Sequence, residues 1–160
     1  MGWRNSVSWK GLNLSFLINA RFGGIVTSAT QAVLDQFGVS QATADARDRG
    51  YVEVAGGVKV DPQKYYEVVA NQQLMGYYYY NATNVRLQNI SLSYTLPRTL
   101  LGQGWPSVTV GFIANNLWMI YNKAPFDPEI ASSTGTYGQG SDYFSAPSLR
   151  NLGFSLKLNF

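Results

Sequence analysis

The sequence predicts an all-β fold in which antiparallel strands form the last part, about five strands, of a large transmembrane β-barrel. Apolar and polar residues alternate with a period of two in several segments. These segments are about as long as the roughly 9–11 residues that a tilted strand needs to cross a bilayer. Charge is scarce, since Lys, Arg, Asp and Glu make up only 13% of the 160 residues, against about 25% in typical soluble domains.

The C-terminal segment, at about residues 148–160, shows the alternation most clearly. Its apolar residues occupy every second position: Leu152, Phe154, Leu156, Leu158 and Phe160. Side chains two residues apart lie on the same face of a strand, so one face of this strand is apolar. The same pattern predicts strands at about residues 3–10, 12–22, 84–97 and 107–122.

A soluble antiparallel sheet with one face in water would also alternate. Three features favour membrane strands over that interpretation. They are the length of the segments, the scarcity of charge, and aromatic residues near the strand ends, such as Trp3, Trp9, Trp118 and Tyr121, where barrels carry interfacial girdles.

The connections between the strands alternate between short and long. Lys10–Gly11 and residues 97–106 are compact turns, whereas the connections at residues 23–83 and 123–147 are long. Outer-membrane barrels show the same alternation, with short periplasmic turns and longer extracellular loops. Residues 23–83 are therefore expected to form a long extracellular loop.

That long loop contains helix signals. Ser28 and Ser40 can cap short helices, and Asp61 followed by Pro62 predicts the start of a helix over residues 63–74. Residues 35–67 also hold six of the nine acidic residues of the chain, which suits a segment in water. The loop is predicted to be partly helical.

Five strands are too few for a complete barrel. About eight strands are the bacterial minimum, and an open sheet in lipid would leave edge backbone groups without hydrogen bonds, at a cost of several kcal/mol each. Residues 1–160 are therefore expected to be the C-terminal segment of a larger barrel protein.

The composition excludes several kinds of chemistry. The chain contains neither Cys nor His, which excludes thiolate zinc sites and a Ser-His-Asp triad. Asp127, Glu129 and Asp142 supply carboxylates without the regular spacing of a calcium-binding loop, so no metal site and no cofactor are predicted. The basic residues are isolated rather than clustered, which argues against nucleic acid as a partner. The chain is not expected to be an enzyme.

Several motifs follow one another along the chain. The segment Asn84–Pro97 reads NVRLQNISLSYTLP. The others are Trp9–Phe16, Arg21–Gly24, Asn115–Trp118, Phe126–Glu129, Tyr137–Tyr143 and Pro147–Arg150. In this order the motifs resemble the last part of SusC/RagA-like TonB-dependent outer-membrane transporters. The plug domain, the TonB-contacting segment and most of the family's 22-stranded barrel have no counterpart among these residues.

The resemblance implies uptake of oligosaccharides or peptides across the outer membrane of a Gram-negative, Bacteroidetes-like bacterium. It also implies partners: a SusD-like surface lipoprotein above the extracellular loops, the TonB complex through an N-terminal region absent from this chain, the barrel-assembly machinery and the lipid bilayer. The alternative that the residues leave open is a soluble β-sheet glycan-binding module.

Two groups of residues are candidates for substrate contact. The first is the run of Tyr77, Tyr78, Tyr79 and Tyr80. Their rings can stack on sugars or peptides, although tyrosines also belong at borders between water and apolar surface. The second group comprises Arg21 and Asn115, which the strand parity places on the luminal face together with Ser91, Ser93 and Thr109.

The last strand holds a candidate assembly signal. Leu156, Leu158 and Phe160 resemble the C-terminal signal that the barrel-assembly machinery recognises. An extended segment with an unpaired edge and one apolar face is suited to strand addition. The alternative is an ordinary lipid-facing strand, and the two roles are compatible.

Overall fold

A computed structural model describes residues 1–97, 106–130, 135 and 138–159, apart from the side chains of residues 72, 73 and 75. In chain order its elements are β1 (Gly2–Trp9), β2 (Leu12–Arg21), β3 (Ile25–Ser28), α1 (Ala29–Gln36), α2 (Gln41–Arg49), β4 (Val52–Val54), β5 (Val58–Val60), α3 (Pro62–Val69), a 3-10 helix (Gln72–Tyr78), β6 (Tyr79–Asn81), β7 (Asn84–Thr95), β8 (Ser107–Asn122), β9 (Ser141–Asp142) and β10 (Asn151–Asn159). No helix among the described residues is long and apolar enough to span a membrane.

The chain divides into two compact units. The sheet unit comprises the described residues of Met1–Gly23, Ala82–Pro125 and Ser148–Phe160. The helical unit comprises those of Gly24–Asn81 and Phe126–Pro147. The helical unit therefore draws on both of the long connections that the sequence predicted.

The sheet unit is built on a five-stranded sheet in the order β1-β2-β7-β8-β10. Every pair of neighbours in it is antiparallel. The five predicted strands and the all-β antiparallel fold class are thus confirmed. Among the described strands, β1 and β10 occupy the two ends of the order, so within this part of the chain the sheet is open rather than closed into a barrel.

The register separates the sheet into an apolar face and a polar face. One row of paired residues crosses all five strands: Trp9, Leu12, Tyr94, Val110 and Leu156. The row one residue away is polar or small: Ser8, Asn13, Ser93, Gly111 and Ser155. Because a shift of one residue exchanges the faces of a strand, the register in these two rows agrees with the alternation in the sequence. Further along β7, register shifts occur between Val85 and Arg86 and between Leu87 and Asn89.

The tight turn between β1 and β2 depends on its two residues. Lys10 and Gly11 both have positive φ, 45° and 85°, as a two-residue hairpin turn of type I′ requires. A Cβ at position 11 would lie 2.8 Å from the carbonyl oxygen of Thr95. Glycine is therefore needed at this position both for its backbone angle and for the approach of β7.

The helical unit is organised by local caps. The Oγ atoms of Ser28 and Ser40 accept hydrogen bonds from the backbone N–H groups of Gln31 and Thr43, at 3.1 and 3.2 Å. These are the predicted caps of α1 and α2. Asp61 caps α3 through the N–H of Lys64 at 3.0 Å. However, α3 ends at Val69 and not at residue 74, because the chain turns into the 3-10 helix.

A small core and a three-stranded sheet hold the helical unit together. The buried core consists of Ala32, Val69, Ala70 and Tyr78. In the sheet, β3 pairs antiparallel with β6 and parallel with β9. Asp142 in β9 also accepts a hydrogen bond from the hydroxyl of Ser28 at 3.2 Å. This pairing joins two chain segments that are more than one hundred residues apart.

Candidate functional site

The polar face of the large sheet carries the predicted luminal residues. The register of β2, β7 and β8 places Arg21, Ser91, Ser93, Thr109 and Asn115 on this one face. Asn89 donates a hydrogen bond through Nδ2 to Oδ1 of Asn115 at 2.8 Å. The hydroxyls of Thr95 and Thr109 lie 3.0 Å apart. The face is therefore lined by amide and hydroxyl groups that are ordered by bonds between strands.

Apolar side chains of the inner strands are exposed. Leu92 in β7 and Val110 in β8 are 41% and 47% exposed, while Ser91, Ser93 and Thr109 on the polar face are half-buried. A soluble sheet shows the reverse arrangement, because its apolar face packs on the protein core.

Two buried polar residues of the sheet unit are absent from the sequence-based candidates. Arg86 is 3% exposed and donates a hydrogen bond from Nη1 to the hydroxyl of Ser148 at 3.1 Å. Asn84 is fully buried, and its Nδ2 donates to the carbonyl of Ala82 at 3.0 Å. Strict alternation with Ile90 would place both on the apolar face of β7. The register shift between Leu87 and Asn89 instead pairs Arg86 with Asn19 and Asn84 with Arg21 on the polar face.

The structure separates the four consecutive tyrosines. Tyr77 and Tyr79 are 64% and 54% exposed. Tyr78 is 4% exposed and donates its hydroxyl hydrogen bond to Oδ2 of Asp35 at 3.0 Å. Tyr80 packs against the core, with its ring centroid 5.7 Å from that of Phe126. Of the four rings, those of Tyr77 and Tyr79 are therefore the ones that remain open to a ligand.

Burial affects the acidity of these tyrosines. Burial, and next the negative charge of Asp35, raise the pKa of Tyr78 far above its ordinary value. The same two causes raise the pKa of Tyr80. Both hydroxyls therefore stay protonated throughout the physiological range.

The predicted assembly residues lie at the end of β10. Leu156 and Leu158 lie on the apolar face and are exposed. Phe160 lies outside the described residues. The candidate carboxylates have structural roles: Oδ1 of Asp127 accepts from the backbone N–H of Glu129 at 3.1 Å, and Asp142 bonds Ser28. No group of three metal-ligating side chains occurs within the described ranges.

The helical unit also contains a cleft that the sequence did not indicate. It has a volume of about 210 Å³ and lies where the C-terminal end of α1 meets α2 and α3. Its lining includes Asp35, Gly38, Arg47, Tyr66 and Glu67. These residues lie in α1, in the turn after it, in α2 and in α3. No local sequence pattern could therefore have predicted that they line one cleft.

Comparisons with known proteins agree with the motifs. No family model matches the chain. The chain is 25% identical, over its full length, to the TonB-dependent receptor P3 of Formosa agariphila, of which it spans 16%. Its structure matches a solved structure of the RagAB peptide transporter with a TM-score of 0.67 and 22% sequence identity. The match covers 96% of this chain and 16% of the transporter chain.

A second solved structure supports the same fold. The RagAB peptide importer in its "open-open" state matches over 99% of this chain and 17% of that chain, with a TM-score of 0.58 and 21% identity. These relatives are named as a receptor and a transporter, not as enzymes. The comparisons thus confirm the resemblance of this chain to the C-terminal part of SusC/RagA-like TonB-dependent outer-membrane transporters.

Proposed function

We propose that the chain contributes wall strands to a TonB-dependent transporter that takes up oligosaccharides or peptides through a bacterial outer membrane. The similarity to a TonB-dependent receptor over the full length of the chain supports this proposal. The chain spans 16% of that receptor, so the activity belongs to the whole protein of which these strands are a part.

One observation carries the proposal: the sheet exposes its apolar face. Burying one Leu or Phe side chain is worth about 1.5–3 kcal/mol, and a soluble protein rarely leaves a continuous apolar patch of this kind in water. Lipid would cover the face that includes Leu92, Val110, Phe154 and Leu156. The soluble glycan-binding module would leave this face in contact with water, which argues against it.

The polar face would then line the lumen. Arg21 and Asn115 are the proposed substrate-facing residues of the sheet, since a guanidinium and an amide can bond both sugar hydroxyls and peptide groups. In the helical unit, the exposed rings of Tyr77 and Tyr79 are the remaining candidates for stacking on substrate.

Partners follow from the same proposal. The helical unit would lie outside the membrane, where a SusD-like lipoprotein would cover it. Contact with the TonB complex would belong to other parts of the transporter. The barrel-assembly machinery would recognise Leu156, Leu158 and Phe160 at the C-terminal strand of an outer-membrane protein from a Bacteroidetes-like bacterium.

Cysteine labelling in the intact transporter tests the proposal. The chain contains no cysteine, so Asn115→Cys and Val110→Cys each introduce a single thiol into this segment. Asn115→Cys is expected to react with a water-soluble maleimide in isolated outer membranes. Val110→Cys, on the opposite face, is expected to react only with a lipid-soluble reagent. Recovery of the full-length protein in the soluble fraction would contradict the proposal.

A further inference from the structure

The last strand of the large sheet is joined to its neighbour by a long connection. Residues 123–150 separate β8 from β10, whereas Lys10 and Gly11 alone form the turn between β1 and β2. A tight turn defines the register of the two strands that it joins. A long connection does not, so the register of β10 on β8 depends on contacts of the strand itself and of the residues just before it.

The sequence of β10 leaves the register open to a slip of two residues. A slip of one residue would turn its apolar side chains to the polar face, and the alternation opposes that change. A slip of two residues keeps every side chain on its own face, because side chains alternate with a period of two. The alternation therefore does not distinguish the observed register from the registers two residues away.

Contacts between the two strands distinguish these registers only weakly. The rings of Phe112 and Phe154 lie opposite each other, with their centroids 5.3 Å apart. After a slip of two residues, Phe154 would lie opposite Val110 or Ala114 instead. One apolar contact would replace another, so a sharper determinant of the register has to lie outside this pairing.

Arg86 contacts the chain just before β10. Its Nη1 donates a hydrogen bond to the hydroxyl of Ser148 at 3.1 Å, and the arginine is 3% exposed. It lies in β7 beside the register shift between Leu87 and Asn89, and irregularities of this kind re-aim side chains. Because a buried charged donor is costly to leave without its acceptor, this bond favours one position of Ser148 along the sheet.

Asn116 contacts the next residue of the same segment from β8. Its Nδ2 donates a hydrogen bond to the backbone carbonyl of Leu149 at 3.1 Å. Asn116 has a φ of 50°, in the left-handed region that asparagine tolerates better than most residues with a side chain. It lies within the irregular part of the pairing with β7, between Asn115 and Trp118. Asparagine therefore suits this position both by its backbone conformation and by its amide donor.

We propose that these two bonds, Arg86 to Ser148 and Asn116 to Leu149, form a clasp that sets the register of β10 on β8. A slip of two residues would move the start of β10 by about 7 Å along the sheet, which is beyond the reach of either hydrogen bond. Arg86 and Asn116 are thus positioning residues for the last strand. The clasp concerns assembly of the sheet and goes beyond the proposed uptake function.

Disulfide cross-linking in the full-length protein reads the register directly. The 160 residues contain no cysteine, and Thr109 lies opposite Lys157, so cysteines at these two positions report the observed register. Thr109→Cys combined with Ser155→Cys or with Asn159→Cys reports a slip of two residues in either direction. Opposed Cβ atoms are closer than diagonal ones, and a disulfide needs the shorter separation. Mass spectrometry of the linked peptides after proteolysis measures each cross-link.

Two substitutions open the clasp and preserve the backbone. Asn116→Gly keeps the left-handed conformation without steric cost but removes the amide donor, and Ser148→Ala removes the acceptor for Arg86. In the double variant, the slipped cross-links are expected to rise at least about tenfold relative to the 109–157 cross-link. Ser91→Ala, at a half-buried site on the polar face of β7, is the control and is expected to leave this ratio unchanged.

A fall in assembly yield is the other expected effect of opening the clasp. In that case the disulfide between positions 109 and 157 is expected to restore the yield of the double variant, because it sets the same register covalently. The proposal is overturned if the double variant keeps the observed register at an unchanged yield, or if this disulfide leaves a lowered yield unrestored. The cross-linking ratio is read wherever the full-length protein folds, and no uptake is measured. Failure of the clasp is therefore distinguishable from failure of the proposed function.

Discussion

Leu156 and Ser155 are neighbours in β10, but their side chains lie on opposite faces of the sheet. If the apolar face contacts lipid, Leu156→Arg places a guanidinium in hydrocarbon and costs about 2–4 kcal/mol near the midplane. Ser155→Arg points to the polar face and is expected to cost far less. Urea titrations of the two variants in lipid vesicles measure the difference. Equal losses would show that the strand is not half in lipid.

Tyr78 is the residue whose hydroxyl links the helical core to a buried carboxylate. Tyr78→Phe removes a donor from Asp35 and is expected to destabilise the helical unit by about 1–3 kcal/mol. Hydrogen exchange of the amides of α1 and α3 measures this loss. Tyr77→Phe, at an exposed ring, is the matched control and is expected to change protection little.

The raised pKa of Tyr78 also predicts a pH dependence. The folded state holds the phenolic proton more tightly than the unfolded state, in which the pKa is near 10. This contribution to stability is fully present below about pH 10 and is lost as the pH rises above that value. Stability measured from pH 8 to pH 11 is expected to fall more steeply in the native protein than in Tyr78→Phe. If stability falls equally with pH in the native protein and in Tyr78→Phe, the hydroxyl of Tyr78 is not buried against Asp35.

At the scale of elements, the short helices depend on their caps. Each is only eight or nine residues long, too short for stability by propensity alone. Asp61→Ala removes the side-chain acceptor for the N–H of Lys64 and is expected to cost about 1 kcal/mol. Asp61→Asn retains an acceptor and is expected to cost much less. Hydrogen-exchange rates of the α3 amides distinguish the two variants. Equal protection of these amides in Asp61→Ala and Asp61→Asn would indicate that packing alone defines the start of the helix.

At the scale of the whole molecule, the alternation of short and long connections predicts a topology. Lys10 lies in the short β1–β2 turn and Lys59 lies in β5 of the helical unit. Trypsin added to intact cells that lack the covering lipoprotein is expected to cleave after Lys59 and to leave Lys10 untouched. Disruption of the outer membrane is expected to expose Lys10. Cleavage at Lys10 alone in intact cells would reverse the proposed orientation.

The sequence by itself determined the five strands of the large sheet, the faces of most of their residues and the helix starts at Ser28, Ser40 and Asp61, because these features depend on local properties. Alternation with period two defines which side chains of β10 share a face, and Ser28, Ser40 and Asp61 cap the backbone three residues ahead. The motif order also indicated the family resemblance that the comparisons confirmed.

Only the tertiary structure decided how distant segments combine. It joined the two long connections through β3 and β9, buried Tyr78 while exposing Tyr77 and Tyr79, and brought Arg47 beside Gly38 and Glu67 in one cleft. Four identical residue types in a row offer no local signal for which ring enters a core. That choice depends on packing between residues far apart along the chain, and periodicity cannot report such contacts.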